Sequence, residues 1–128
     1  RQGYTPQFKK KFKVEGKTKL QEKLLLKEAL NIEKAGAFSI VLECITPASA
    51  KRITSRLSIP TIGIGSSKYC DGQILVTDDM LGLSGFYPKF VKKYLNLSRI
   101  IEKAVKKYTT EVKLNKFPKA KHIFNGRK

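Results

Sequence analysis

The sequence predicts an α/β fold built on parallel strands, and three observations carry that prediction. An apolar run at residues 38–43, Phe-Ser-Ile-Val-Leu-Glu, is followed by a helical pattern at 47–57 and a second apolar run at 59–65. Strand, helix and strand in that order form a βαβ unit, whose two strands must be parallel. A third run at 73–77, Gln-Ile-Leu-Val-Thr, supplies a further strand. Functional groups in such sheets gather at the carboxyl ends of the strands. Glu43 stands at one such end, and Gly63 and Gly65 at another.

Residues 1–7 read as loop, with Pro6 holding Thr5 extended. Residues 8–16 carry Lys9, Lys10, Lys11 and Lys13 around Phe8, Phe12 and Val14, a basic surface segment pinned by its aromatics. Residues 18–34 have helical spacing, with Leu20, Leu24, Ala29 or Leu30, Ile32 and Ala35 as the covering stripe and Gly36 as the stop. In the 47–57 helix Thr46 is the expected N-cap and Pro47 the first residue, with Ala50, Ile53 and Leu57 on one face.

Ile62-Gly63-Ile64-Gly65 lacks the third glycine of a dinucleotide fingerprint, and no helix follows at once. Asp78 and Asp79 end the third strand. In an extended segment their carboxylates diverge, which argues against a shared metal ion. Pro88 is placed to start a helix that turns Phe90, Val91, Tyr94 and Leu95 inward. Ser98 would cap a longer one, the pair spanning about 88–113, with a stripe of Ile101, Val105, Tyr108 and Val112. His122, the single histidine, lies on a terminal extension and reads as a packing or interface residue rather than a base.

The chain has 128 residues, enough for one domain or less. No run of about 18 apolar residues is present, so no membrane span is expected. Cys44 and Cys70 lack metal-ligand spacing and read as thiols of a cytoplasmic protein. The net charge of +17 would attract nucleic acid. Its carriers, however, are 22 Lys against 5 Arg, scattered through the chain. Phosphate clamping and base readout favour Arg for its planar fork, so dispersed lysines fit a solvated surface better.

A carboxylate directly after a buried strand is expected to be desolvated, which raises its pKa toward the range of a general base. The competing role for Glu43 is structural: capping backbone N–H groups or pairing with a lysine.

Several segments also carry a resemblance. Gly36-Ala37-Phe38-Ser39-Ile40-Val41-Leu42-Glu43 is followed by Ala50-Lys51-Arg52-Ile53-Thr54, Ile59-Pro60-Thr61-Ile62-Gly63-Ile64-Gly65 and Asp71-Gly72-Gln73-Ile74-Leu75-Val76. In this order and spacing they resemble the ketopantoate hydroxymethyltransferase family. Gly3-Tyr4-Thr5-Pro6-Gln7 is similar to a segment found midway through family members, so the chain is expected to be a fragment, the C-terminal half. The resemblance implies a single partial domain over 1–128, the C-terminal part of a (β/α)8 TIM-type barrel with about three parallel strands, covering helices and a helical extension.

The reaction so implied is hydroxymethyl transfer from 5,10-methylenetetrahydrofolate to 3-methyl-2-oxobutanoate, with Glu43 as proton acceptor. Mg²⁺ would stabilise the enolate through carboxylates of the N-terminal half, leaving no metal ligand in this chain. Arg1 stands where the family has a substrate-binding histidine. The partners implied are the 2-oxo acid and the folate, within a homo-oligomer and away from membranes, and the chain alone is expected to be inactive. The alternatives are a basic nucleic-acid-binding domain and the non-catalytic half of a split enzyme.

Overall fold

A computed structural model describes residues 13–85, 87–124 and 126. It shows an α/β arrangement: α1 (Lys19–Lys34), β1 (Ile40–Glu43), α2 (Pro47–Thr54), β2 (Thr61–Ile64), β3 (Gly72–Gln73), α3 (Thr77–Leu81) and α4 (Leu97–Lys113), then a 3₁₀ turn at Ala120–His122. The three strands form one sheet in the order β1-β2-β3, and both pairings are parallel. The segments expected at 1–12 lie outside the described residues.

One face of the sheet is covered. Ile40 and Leu42 of β1 join Ala29 of α1, Ala50 and Ile53 of α2, and Ile45 and Cys70 in a single apolar cluster. Ile53 is 1% exposed, and burying a side chain of that size contributes about 1.5–3 kcal/mol. Leu25, Leu26, Ile32, Leu57 and Ile59 pack around the cluster. The helix at 19–34 keeps Ala29 and Ile32 of the expected stripe inward, but Leu20, Leu24 and Ala35 are exposed, and Leu25 and Leu26 pack against the core in the first half of the helix.

The ends of α1 and α2 follow from local chemistry. Thr18 caps α1, its hydroxyl accepting from Gln21 N–H at 3.2 Å. Thr46 holds the N-cap position of α2, but its side chain makes no cap bond to the helix. Its hydroxyl and that of Ser49 instead lie 2.9 and 3.1 Å from the Gly16 carbonyl, tying the chain before α1 to the start of α2. Glu33 accepts from the N–H groups of Ser58 and Ile59 at 2.6 and 3.1 Å, which anchors the approach to β2 on α1.

The remaining elements depart from expectation. The first strand begins at Ile40 rather than residue 38, and Phe38 is 88% exposed. The third strand is only Gly72–Gln73 instead of 73–77. Ile74 N–H still donates to the Gly63 carbonyl at 3.0 Å, after which the chain leaves the sheet. Asp78 and Asp79 lie in the first turn of α3, where carboxylates complement the positive end of the helix. Gly82 then ends α3 in the left-handed region.

No helix starts at Pro88. A single turn there, closed by Val91 N–H to the Pro88 carbonyl, is followed by irregular chain held by Tyr94 N–H to the Met80 carbonyl. The long helix begins at Leu97, and its cap is Asn96 instead of Ser98. Ile101, Val105, Tyr108 and Val112 do share one face of α4, but they are exposed rather than core. Phe117 folds back onto Tyr108 with ring centroids 5.6 Å apart, and His122 stacks on Phe117 at 5.1 Å.

Candidate functional site

The site is built at the carboxyl ends of β1 and β2, on the sheet face opposite α1 and α2. Side chains alternate along β1: Ile40 and Leu42 are buried, while Val41 and Glu43 are exposed. Period-two alternation thus puts Glu43 opposite the helices. It is the last residue of β1 and pairs with Ile64, the last residue of β2. Ile62 and Ile64 share that open face and are partly exposed.

The expected desolvation of Glu43 is absent, because its carboxylate is open to solvent in the described structure. The reason is the single covering layer. α1 and α2 bury the other face, whereas Val41 and Glu43 on this one are exposed and Ile62 and Ile64 partly so. What the geometry provides is a carboxylate at a fixed height, at the end of a strand hydrogen-bonded to its neighbour.

The glycines expected near this end have separate tasks. A Cβ at Gly63 would stand 2.9 Å from the amide atoms of Gln73 and 3.1 Å from Cys70 Sγ, so the residue permits close packing on the covered face. Gln73 uses that space to donate from Nε2 to the Ser67 carbonyl at 2.7 Å, fixing the loop after β2. Gly65 has φ +60, and a Cβ there would meet the Phe90 ring at 2.7 Å. Phe90 thereby closes the end of β2. In the same loop Ser66 Oγ is buried without a hydrogen-bond partner among the described residues. Tyr69 holds the loop against α2, with Lys51 Nζ 4.8 Å from its ring centroid.

Three features escaped the sequence reading. Glu15 forms an isolated parallel bridge with Ile45, extending the pairing beyond the far edge of β1. Cys44, directly after Glu43, has a positive φ of 49°. Phe90 reaches the end of β2 from a segment expected to be helical. No periodic signal marks an isolated bridge or a single left-handed residue, so only the bulk-free Gly65 hinted at close approach. Asp78 and Asp79 are not drawn into the site. Among the described residues no group of three or more His, Cys, Asp or Glu side chains is placed to hold a metal ion.

Comparison with known proteins then decides the family. A family model described as ketopantoate hydroxymethyltransferase matches residues 2–120. The chain belongs to the ketopantoate hydroxymethyltransferase family. Among curated relatives, a protein of Clostridium beijerinckii named 3-methyl-2-oxobutanoate hydroxymethyltransferase is 52% identical over 126 residues, covering 95% of this chain and 46% of the relative. A namesake from Thermotoga maritima is 49% identical over 129 residues, with 98% and 48% covered. One from Saccharolobus islandicus is 52% identical over 111 residues, with 87% and 42% covered. The chain thus spans about half the length of the hydroxymethyltransferases it matches.

Proposed function

We propose that this protein supplies the C-terminal half of a barrel-type 3-methyl-2-oxobutanoate hydroxymethyltransferase and that Glu43 is its proton acceptor. Placement at the carboxyl end of β1, on the open face, is the observation that carries the assignment. The Glu43 carboxylate takes the proton from C3 of 3-methyl-2-oxobutanoate, and the C3–H electron pair becomes the enolate. The enolate carbon bonds to the one-carbon unit delivered by 5,10-methylenetetrahydrofolate; both C–N bonds of that carbon break, the two nitrogens keep the electron pairs and take up protons, and water supplies the hydroxyl oxygen. With addition of water, the products are 2-dehydropantoate and tetrahydrofolate.

A carboxylate working on so weak an acid needs water excluded and the enolate oxygen stabilised. Both must come from what covers the open face: the substrate and the remaining half of a complete enzyme. The resemblance implies Mg²⁺ for the second task. The described residues do not fit a metal ion, lacking any convergent set of ligands, and no step is assigned to one. This chain's own contribution is the base and the loop closing the end of β2.

The same reading makes the protein a cytoplasmic enzyme of pantothenate biosynthesis that works as a homo-oligomer. Among the described residues no helix is long and apolar enough to cross a membrane. The exposed stripe on α4 is a surface that an assembly would bury. The test is to combine the protein with the N-terminal half of a full-length relative, add the 2-oxo acid and 5,10-methylenetetrahydrofolate, and measure 2-dehydropantoate. Formation above the uncatalysed rate supports the proposal. Its absence from the combined halves, under conditions where the relative's own two halves are active together, contradicts the proposal for this chain.

A further inference from the structure

The positive φ of Cys44 has a definite geometric effect. In an extended residue the N–H and C=O groups point toward the same neighbouring strand. At Cys44 they part: its N–H donates to the Ile64 carbonyl at 3.0 Å, while its carbonyl accepts from Glu15 N–H at 2.9 Å on the other side. Thr46 N–H then donates to the Glu15 carbonyl at 3.0 Å, so the chain has switched its ladder from β2 to Glu15 within one residue.

Burial records the same switch. The strict alternation of β1 fails after Glu43, because Cys44 and Ile45 are buried in succession. Had the strand continued undistorted, Ile45 would share a face with Glu43, and its side chain would stand beside the carboxylate. Instead Ile45 joins the core cluster with Leu42 and Ala50. A left-handed conformation is disfavoured for a residue with a Cβ, and such strain persists where the surrounding structure enforces it, often at functional sites.

We infer that Cys44 is a positioning residue for Glu43: its left-handed backbone turns Ile45 into the core and leaves Glu43 as the last side chain on the open face of β1. The inference rests on the base assignment proposed above. It assigns the role to the backbone conformation, with no part for the thiol.

The test is solvent-deuterium exchange at C3 of 3-methyl-2-oxobutanoate, with kcat and KM, in the complete enzyme that contains this chain and in four variants of it. Cys44→Gly adopts positive φ freely and should exchange at close to the wild-type rate, although the thiol is lost. Cys44→Val and the smaller Cys44→Thr are β-branched and resist the left-handed region. They should lose about 10-fold to 10²-fold in exchange and kcat, the scale of a slightly misplaced catalytic group, with KM for the 2-oxo acid little changed.

Glu43→Gln separates the two ideas. Exchange at the wild-type rate in Glu43→Gln overturns the base assignment and this inference with it. Exchange lost in Glu43→Gln but retained in folded Cys44→Val and Cys44→Thr overturns the inference alone. Should neither β-branched variant fold, the wild-type crystal structure serves: φ at residue 44 should be positive with Ile45 buried. A negative φ there overturns the inference.

Discussion

The carboxylate of Asp71 binds both polar groups of Thr61: Oδ2 accepts from Thr61 N–H at 2.8 Å and from its hydroxyl at 3.0 Å. These bonds join the first residue of β2 to the residue just before β3. The Thr61 backbone N–H, and then its hydroxyl, hold the Asp71 carboxyl below its ordinary value of 3.8. A carboxylate with a depressed folded-state pKa stabilises the fold above the unfolded value and loses that contribution as pH falls through the folded value.

Asp71→Asn should therefore be less stable than wild type at neutral pH, and the gap should shrink as pH falls below about 4. Urea midpoints measured from neutral to acid pH check this. A gap that stays constant to the lowest pH would mean that the ionised form contributes nothing.

Gly16 and Gly36 offer a matched pair. Both have positive φ, +80 and +91, but a Cβ at Gly16 would lie 2.4 Å from Ser49 Oγ, whereas Gly36 has open space. Gly36→Ala should cost about 1 kcal/mol from backbone strain alone. Gly16→Ala should cost more, about 2–3 kcal/mol, because Ser49 is buried at the start of α2 and cannot move aside cheaply. Equal losses in denaturant unfolding would show that the Ser49 contact yields readily.

Ile53 tests the covered face. Ile53→Val removes one methylene from a fully buried site and should cost about 0.5–1.5 kcal/mol. Leu24→Ala, on an exposed position of α1, should cost well under that. The reverse order would mean that the expected stripe with Leu24 inward was right and the observed one wrong.

The βαβ unit was legible because each element carries its own local signal. Pro47 starts α2, Gly36 sits beyond α1, and the apolar runs around Leu42 and Ile62 can bury themselves only as strands. The facing of α1 was harder to read, because Leu24, Leu25 and Leu26 are consecutive and any of them can open an apolar stripe. The third strand was overextended for another reason. Ile74, Leu75 and Val76 look like strand, but pairing is limited to Gly72 and Gln73, and the helix propensity of the following turn takes over. Glu43 could be placed at a strand end from sequence, yet its solvation could not. That depends on what lies over the open face, which no local pattern encodes. Cys44 gave no signal because left-handed backbone is enforced there by Ile64 and Glu15 from two sides.

The most direct measurement for Glu43 is exchange of the C3 proton of 3-methyl-2-oxobutanoate with deuterated solvent in the Glu43→Gln form of the complete enzyme, without folate. Exchange isolates proton abstraction from the later attack on the one-carbon unit. Glutamine keeps the size and hydrogen-bonding capacity of the side chain while removing the base. The account predicts exchange slowed by about 10²–10⁴-fold in a folded variant, with little change in apparent affinity for the 2-oxo acid. Exchange at the wild-type rate in that variant would contradict it and assign the proton to another group.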